Sequence, residues 1–306
     1  MTIHLMAGVR GVEADLALIG GKIVTMDGGE SIAEAVTVKY GRIIRVGSTS
    51  EVEPLIGGGT AVIDLRGRTV VPGFIDSHGH ILRTGADRML NVDLSQEAGV
   101  RSIADIVERL RERADETPAG GWVVGYQEDD SKLQEKRHPT RWDLDEASTE
   151  HPIIISTVGG HFYVANSLAF ENAGVSKDTP DPVGGRFDRD PETGEPTGGF
   201  HEKAFGVIKP DGPEEPTREQ SYEGAKQILG ECAAAGITCI YDSGGRSSFR
   251  AALDLKNRGE LPVRVRLDAV IGLFPDLNRL GIYRGMGDDW VRLCGLKFFF
   301  DGAISA

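Results

Sequence analysis

In the stretch "VPGFIDSHGH", two histidines, His78 and His80, are separated by one glycine. They are two of seven histidines in the chain. Along an extended backbone, residues i and i+2 project to the same side. The pair thus offers two imidazoles to one point in space, and neutral imidazole is a good ligand for zinc and similar ions. A bare His-x-His arises often by chance. Here it closes an apolar run opened by Pro72-Gly73, which favours a metal site at a strand end over two surface histidines on a loop.

Lys297 is the second candidate. In "GLKFFFDG" it stands inside an apolar run, where a free ammonium is costly to bury. Burial lowers a lysine pKa, and the neutral amine is nucleophilic. Such an amine can take up CO₂ to give a carbamate, a carboxylate-like anion able to bridge two metal ions. The residue by itself favours a plainer arrangement, an ion pair with an acid such as Asp301 or a side chain reaching to the rim.

The elements that must position these groups fall into two styles. Up to about Pro72 the chain reads as short strands punctuated by glycine. Gly20-Gly21 suits a hairpin turn, and strand composition flanks both Gly41 and Gly67. After Gly73 the pattern changes to alternating strand and helix. "SIADIVERLRERADE" has helical spacing with Ser102 as N-cap, and "TREQSYEGAKQILGECAAAG" is a helix stopped by Gly236. "GGWVVGY", "HPIIISTV", "ITCIYDSGG", "VRVRLDAVIG" and "LKFFFDGAIS" read as buried strands. The Pro/Gly/Asp-rich run from Asp178 to Gly199 reads as an ordered loop or lid.

Near-continuous apolar strands suit a parallel sheet covered on both faces. Polar residues at their C-terminal ends are the pattern of a (β/α)₈ TIM barrel. A doubly wound sheet would also place a site there, but no GxGxxG follows any of these strands. "GFIDSH", "ITCIYD", "RVRLDAV" and "LKFFFD" are four barrel-like strands, about half a barrel. The expected fold is therefore α/β. It comprises a small N-terminal β-sandwich contribution over 1–72, then the first part of a barrel over 73–306 with a long insertion at about 92–216. The second half of the barrel would come from a longer chain or another polypeptide. A complete, smaller open-sheet protein is the rival.

Composition narrows the function classes. The formal net charge of −13 disfavours nucleic acid and anionic membrane as partners. No apolar run approaches the ~20 residues a membrane helix needs, and "MTIHLMAGVR" lacks the core of a signal peptide. Cys232, Cys239 and Cys294 are an odd number without CxxC spacing, as in reduced residues of a cytoplasmic protein.

"VVPGFIDSHGH" resembles the first-strand signature of the amidohydrolase superfamily, and "AGITCIYDSGG" its second strand. "GWVVGYQEDD", "HPTRWDLDEASTEHPIIISTVGGHFYVANSLAF", "GEPTGGFHEKAF" and "LKFFFDGAIS" resemble segments of its long-insertion branch, which includes N-substituted formamide deformylases. The resemblance implies a metal-dependent hydrolase with His78 and His80 as ligands, Lys297 as a bridging, carboxylated ligand, and one or two divalent ions, zinc first among them. The remaining ligands and the general base would lie beyond Ala306. The branch usually has Asp-Gly-His where this chain has Gly159-Gly160-His161. His161 is carried as a catalytic candidate that would hydrogen-bond a substrate carbonyl, against a structural role in the insertion. Glu202 is either a pocket residue or a helix-start acid, and Asp242 a support for the second strand.

The reading is an amidohydrolase cleaving a non-peptide C–N bond (amide, N-formyl or N-acyl) of a small-molecule substrate with a metal-activated water. A homo-oligomer is left open. Two alternatives stand beside it. One is the same metal barrel with C–O hydrolysis, deamination, decarboxylation or isomerisation. The other is a catalytically idle binding relative.

Overall fold

The computed structural model describes residues 12–209 and 215–298. The chain divides into one compact unit ending at Phe74 and a second beginning at Ile75. The fold is mixed α/β.

The first unit contains β1 (Leu16–Ile19), β2 (Lys22–Val24), β3 (Ile32–Ala33), β4 (Ala35–Lys39), β5 (Arg42–Gly47), the one-turn helix α1 (Thr49–Val52), β6 (Ala61–Asp64) and β7 (Thr69–Val70). They form two sheets, ordered β5-β4-β1-β6 and β3-β2-β7. Tyr40 and Gly41 both have positive φ, 50° and 70°, and close the antiparallel β4–β5 hairpin. The hairpin expected at Gly20-Gly21 is corrected. β1 and β2 lie in different sheets, and a Cβ on Gly21 would collide with the Leu65 side chain. The glycines there carry the chain from one sheet to the other beneath Leu65. β6 and β7, on either side of Gly67, are split in the same way.

The second unit starts within β8 (Phe74–Gly79), which leads into α2 (Ile81–Leu90). Then come β9 (Val92–Asp93), α3 (Ile103–Glu116), β10 (Val123–Glu128), α4 (Arg141–Asp145), β11 (Ile153–Thr157), β12 (Phe162–Ala165), α5 (Ser167–Asn172), β13 (Gly185–Arg189), β14 (Pro196–Glu202) and α6 (Phe205–Ile208). The six strands of this stretch make one sheet, β13-β14-β12-β11-β10-β9. α3 packs Ile106, Val107 and Leu110 into one hydrophobic cluster with Val123 and Ile153 of this sheet; Phe170, Phe187 and Phe200 anchor another. Ser102 caps α3 reciprocally with Asp105, as its position suggested.

The run from Asp178 to Gly199 is not a loop throughout. It holds β13 and the start of β14, paired antiparallel. Its turn formers are concentrated between the two strands, where the Asp190 carboxylate accepts the N–H groups of Glu192 and Thr193 and Gly194 takes a φ of 75°.

The chain then runs through α7 (Arg218–Ala234), β15 (Ile237–Gly244), α8 (Arg246–Asn257), β16 (Arg264–Val270), α9 (Phe274–Arg279) and β17 (Val291–Lys297). The four strands read from the sequence as barrel-like form one sheet, ordered β17-β16-β15-β8. β15, β16 and β17 pair in parallel. Ile240, Val265 and Leu267 meet Leu82 of α2, Tyr222, Ala225 and Leu229 of α7, and Leu255 of α8 in one core. Among the described residues this sheet is open, with β8 and β17 at its edges. Asp301, Phe299 and Phe300 lie outside the described residues.

Candidate metal centre

His78 and His80 stand together at the end of β8, their ring centroids 5.6 Å apart and nearly perpendicular. The His80 ring is fixed from the neighbouring strand, with Nδ1 3.3 Å from the Ser243 carbonyl of β15. A carbonyl can only accept, so this contact selects the Nδ1–H tautomer and leaves Nε2 as the free lone pair. A ligating histidine is commonly oriented in this way. Partial desolvation holds the His80 imidazole below its usual range against the pull of the Ser243 carbonyl, and His78 and Lys297 depress it further. The neutral, ligand-competent form is thereby favoured.

Asp242 precedes Ser243 and points to the opposite face. Its Oδ1 accepts the Leu82 N–H at 3.2 Å, in the first turn of α2 immediately after His80. Burial pushes its pKa up to about 7, against the Leu82 and Ile81 N–H groups that favour the charged form. One strand end, Asp242-Ser243, thus grips the chain on both sides of the His80–Ile81 junction.

Lys297 is the last residue of β17 and is half-buried. The Lys297 charge contributes a minor part of the depression of the His80 imidazole. The two imidazoles stand at the end of β8, and Lys297 ends β17 at the other side of the same four-stranded sheet. Among the described residues, no group of three or more His, Cys, Asp or Glu side chains could hold a metal. A cleft of about 600 Å³ opens beside His80, lined also by Arg83 and by the Ser243–Ser248 connection.

His161 belongs to the other sheet. Its Nδ1 lies 3.1 Å from the carboxylate of Glu202 at the end of β14. Glu202 takes a left-handed φ of 51°, a costly conformation for a non-glycine residue. Glu202 is therefore the histidine's partner and does not start a helix. A Cβ on Gly159 would meet nothing within 4 Å, so there is room for the aspartate usual in this position.

The same sheet carries two more histidine–carboxylate pairs that sequence reasoning missed. His138 lies 2.8 Å from the fully buried Glu128, and His201 lies 3.1 Å from Asp188; both rings flank Phe162, at 4.5 and 4.6 Å. Burial would lower the His138 pKa, but Glu128, with Asp130 and Asp188, outweighs it and holds the ring above its usual range. His138 lies ten residues from Glu128, in a stretch without regular spacing. The one available signal was an acid within a buried-strand pattern.

A sequence profile described as Amidohydrolase family matches residues 61–306. This chain belongs to the amidohydrolase family. Among amidohydrolase relatives, an N-substituted formamide deformylase from Arthrobacter pascens is 36% identical over 194 residues, 63% of this chain and 35% of that protein. Protein LONG AFTER FAR-RED 3 of Arabidopsis thaliana is 29% identical over 100% of this chain and 53% of its own length. A crystal structure of an uncharacterized metal-dependent hydrolase from Pyrococcus horikoshii superposes with a TM-score of 0.66 at 25% identity, covering 95% of this chain and 55% of that one. The chain spans about half the length, or less, of the curated relatives it matches. No helix among the described residues is long and apolar enough to cross a membrane.

Proposed function

We propose that this chain is part of a metal-dependent hydrolase that cleaves a non-peptide C–N bond (an amide, N-formyl or N-acyl group) in a small molecule. The observation that carries this reading is the His78–His80 pair with His80 Nδ1 held by the Ser243 carbonyl. Support comes from family membership, from a relative named as a formamide deformylase and from a structural neighbour titled a metal-dependent hydrolase. In this reading the β17-β16-β15-β8 sheet is the first part of a (β/α)₈ barrel. Residues 1–72 belong to a small β-domain, and 92–216 are the insertion typical of the long-insertion branch.

A divalent ion, zinc in the simplest case, would supply Lewis-acid polarisation of the carbonyl and acidify a water toward pKa ~7. His78 and His80 would hold it through neutral nitrogens, with carboxylated Lys297 as the anionic ligand. The Ser243 carbonyl keeps His80 in the ligating tautomer. The Asp242 grip on Leu82 fixes where α2, and with it His80, begins. His161, oriented by Glu202, would hydrogen-bond the substrate carbonyl, and an imidazole or carboxylate of the pocket would protonate the leaving nitrogen.

The test is metal content by elemental analysis together with hydrolysis of N-formyl compounds, with and without a chelator. In the full-length protein, His78→Ala and His80→Ala should each lose stoichiometric metal and lower activity at least ~100-fold, in line with removal of one of few ligands. Unchanged metal content in the double variant would refute the site.

A further inference from the structure

The cleft beside His80 has a second wall whose chemistry the histidine pair leaves unused. β15 ends at Gly244, and the 12-residue helix α8 begins at Arg246. Its N-cap, Gly245, has an extended backbone and offers no side-chain acceptor to the first turn. The N–H groups of Arg246, Ser247 and Ser248 therefore emerge where these residues line the cleft. A Cβ on Gly245 would meet nothing within 4 Å, so a ligand can approach this backbone closely. The N-terminus of a helix carries partial positive charge.

An independent observation points to the same place. Ser243 is 4% exposed, and its Oγ has no hydrogen-bond partner among the described residues. Ile240 packs into the helix-covered core and Asp242 turns to α2. Strand alternation thus directs Ser243 to the other face, into the cleft it lines. A buried hydroxyl left unpaired is costly, and a ligand acceptor would satisfy it. Arg246 is exposed and, among the described residues, makes no ion pair; Arg83 across the cleft is bound to Asp87 at 2.8 Å. Two carboxylates also line the cleft: Asp276, paired with Arg279 at 2.8 Å, and the exposed Glu215.

We infer that the α8 N-terminus, Ser243 Oγ and Arg246 form a subsite for a compact oxyanion, placing an acidic group of the substrate beside the histidine pair. The substrate class would then be an N-acyl or N-formyl compound that carries a carboxylate or phosphate. That last step rests on the proposed hydrolase reading; anion binding itself does not.

The experiment is amide NMR of the ¹⁵N-labelled protein titrated with acetate and with inorganic phosphate at constant ionic strength, chloride serving as the control. Saturable shifts at Arg246, Ser247 and Ser248 are expected. Ser243→Ala and Arg246→Glu should each weaken them at least tenfold, while Arg250→Glu, one turn further along α8, should not. No saturable shift, or equal affinity in Arg246→Glu and wild type, overturns the subsite. A second arm compares kcat/KM for N-formylglycine with that for N-methylformamide, which lacks the carboxylate. A preference for N-formylglycine that Arg246→Glu abolishes assigns the subsite to a substrate carboxylate. Tighter phosphate than acetate binding without that preference assigns it to a phosphate. Amide shifts without hydrolysis of either compound by the metal-replete full-length protein uphold the subsite and overturn the hydrolase reading for these substrates.

Discussion

Asp242 is fully buried, yet its Oδ2 has no hydrogen-bond partner among the described residues. With its pKa pushed up to about 7, this carboxyl binds its proton more tightly in the folded than in the unfolded chain. The Asp242 contribution to stability is therefore fully present below about pH 4, falls as pH rises toward 7 and is gone above it. The fall is on the order of 4 kcal/mol if the whole shift is expressed. Asp242→Asn keeps an acceptor for the Leu82 N–H and removes the charge, so the variant should melt with little pH dependence between 4 and 7 and higher than wild type at pH 8. Thermal melts at a series of pH values check this, and a parallel decline in both proteins would contradict it. At this scale the sequence was legible where chemistry resides in side-chain spacing: His78-x-His80 announced two imidazoles on one side, which stand 5.6 Å apart, whereas Lys297 by itself favoured an ion pair or a rim position. The Ser243 carbonyl that selects the His80 tautomer has no sequence signature, because every residue carries that group. The pairing of His161 with Glu202 is likewise set by the β12–β14 register.

The α2–α7 crossing shows how closely two elements can be constrained. A Cβ on Gly224 would collide with the Gly85 carbonyl, and one on Gly85 would stand 2.5 Å from the Gly224 oxygen. The two helices thus touch backbone to backbone, and this contact seats α2 behind His80. Gly224→Ala should cost about 1–3 kcal/mol through overpacking, despite the ~1 kcal/mol that alanine gains in a helix. Gly230 lies in the same helix with nothing within 4 Å of its Cβ position, and Gly230→Ala should stabilise by up to about 1 kcal/mol. Denaturant midpoints of the two variants should move in opposite directions. The strands of the parallel sheet were legible because burial on both faces leaves long apolar runs. The partners of the short strands were not: a glycine pair announces a turn but not which sheet the chain enters next. The same holds for residues 178–199, where turn-forming composition masked the β13–β14 hairpin.

On the scale of the molecule, the parallel sheet leaves apolar side chains uncovered among the described residues. Ile75, Val270, Ile271, Leu296 and Phe298 are all exposed, beside the open edges β8 and β17. Exposed edges and clustered apolar surface promote association. The 306-residue chain should therefore bind an apolar-surface dye and show mass rising with concentration in sedimentation; a monodisperse monomer without dye binding would contradict this. The division at Phe74 and Ile75 falls close to the change of pattern at Pro72-Gly73, where glycine-punctuated strands give way to strand–helix alternation. The grip of Asp242-Ser243 on the start of α2 also has a kinetic consequence. His80 and Ser243 are 163 positions apart, so the ligand geometry depends on closing a very long segment of chain. Closure entropy grows with segment length, and non-local contacts form slowly. The intervening six-stranded sheet has hydrophobic clusters of its own, and its prior collapse shortens the effective loop. The His80–Ser243 contact is thus expected to form late in folding, and a lesion in the core around Phe170 should delay it without touching either residue; refolding followed at the His80 imidazole checks this.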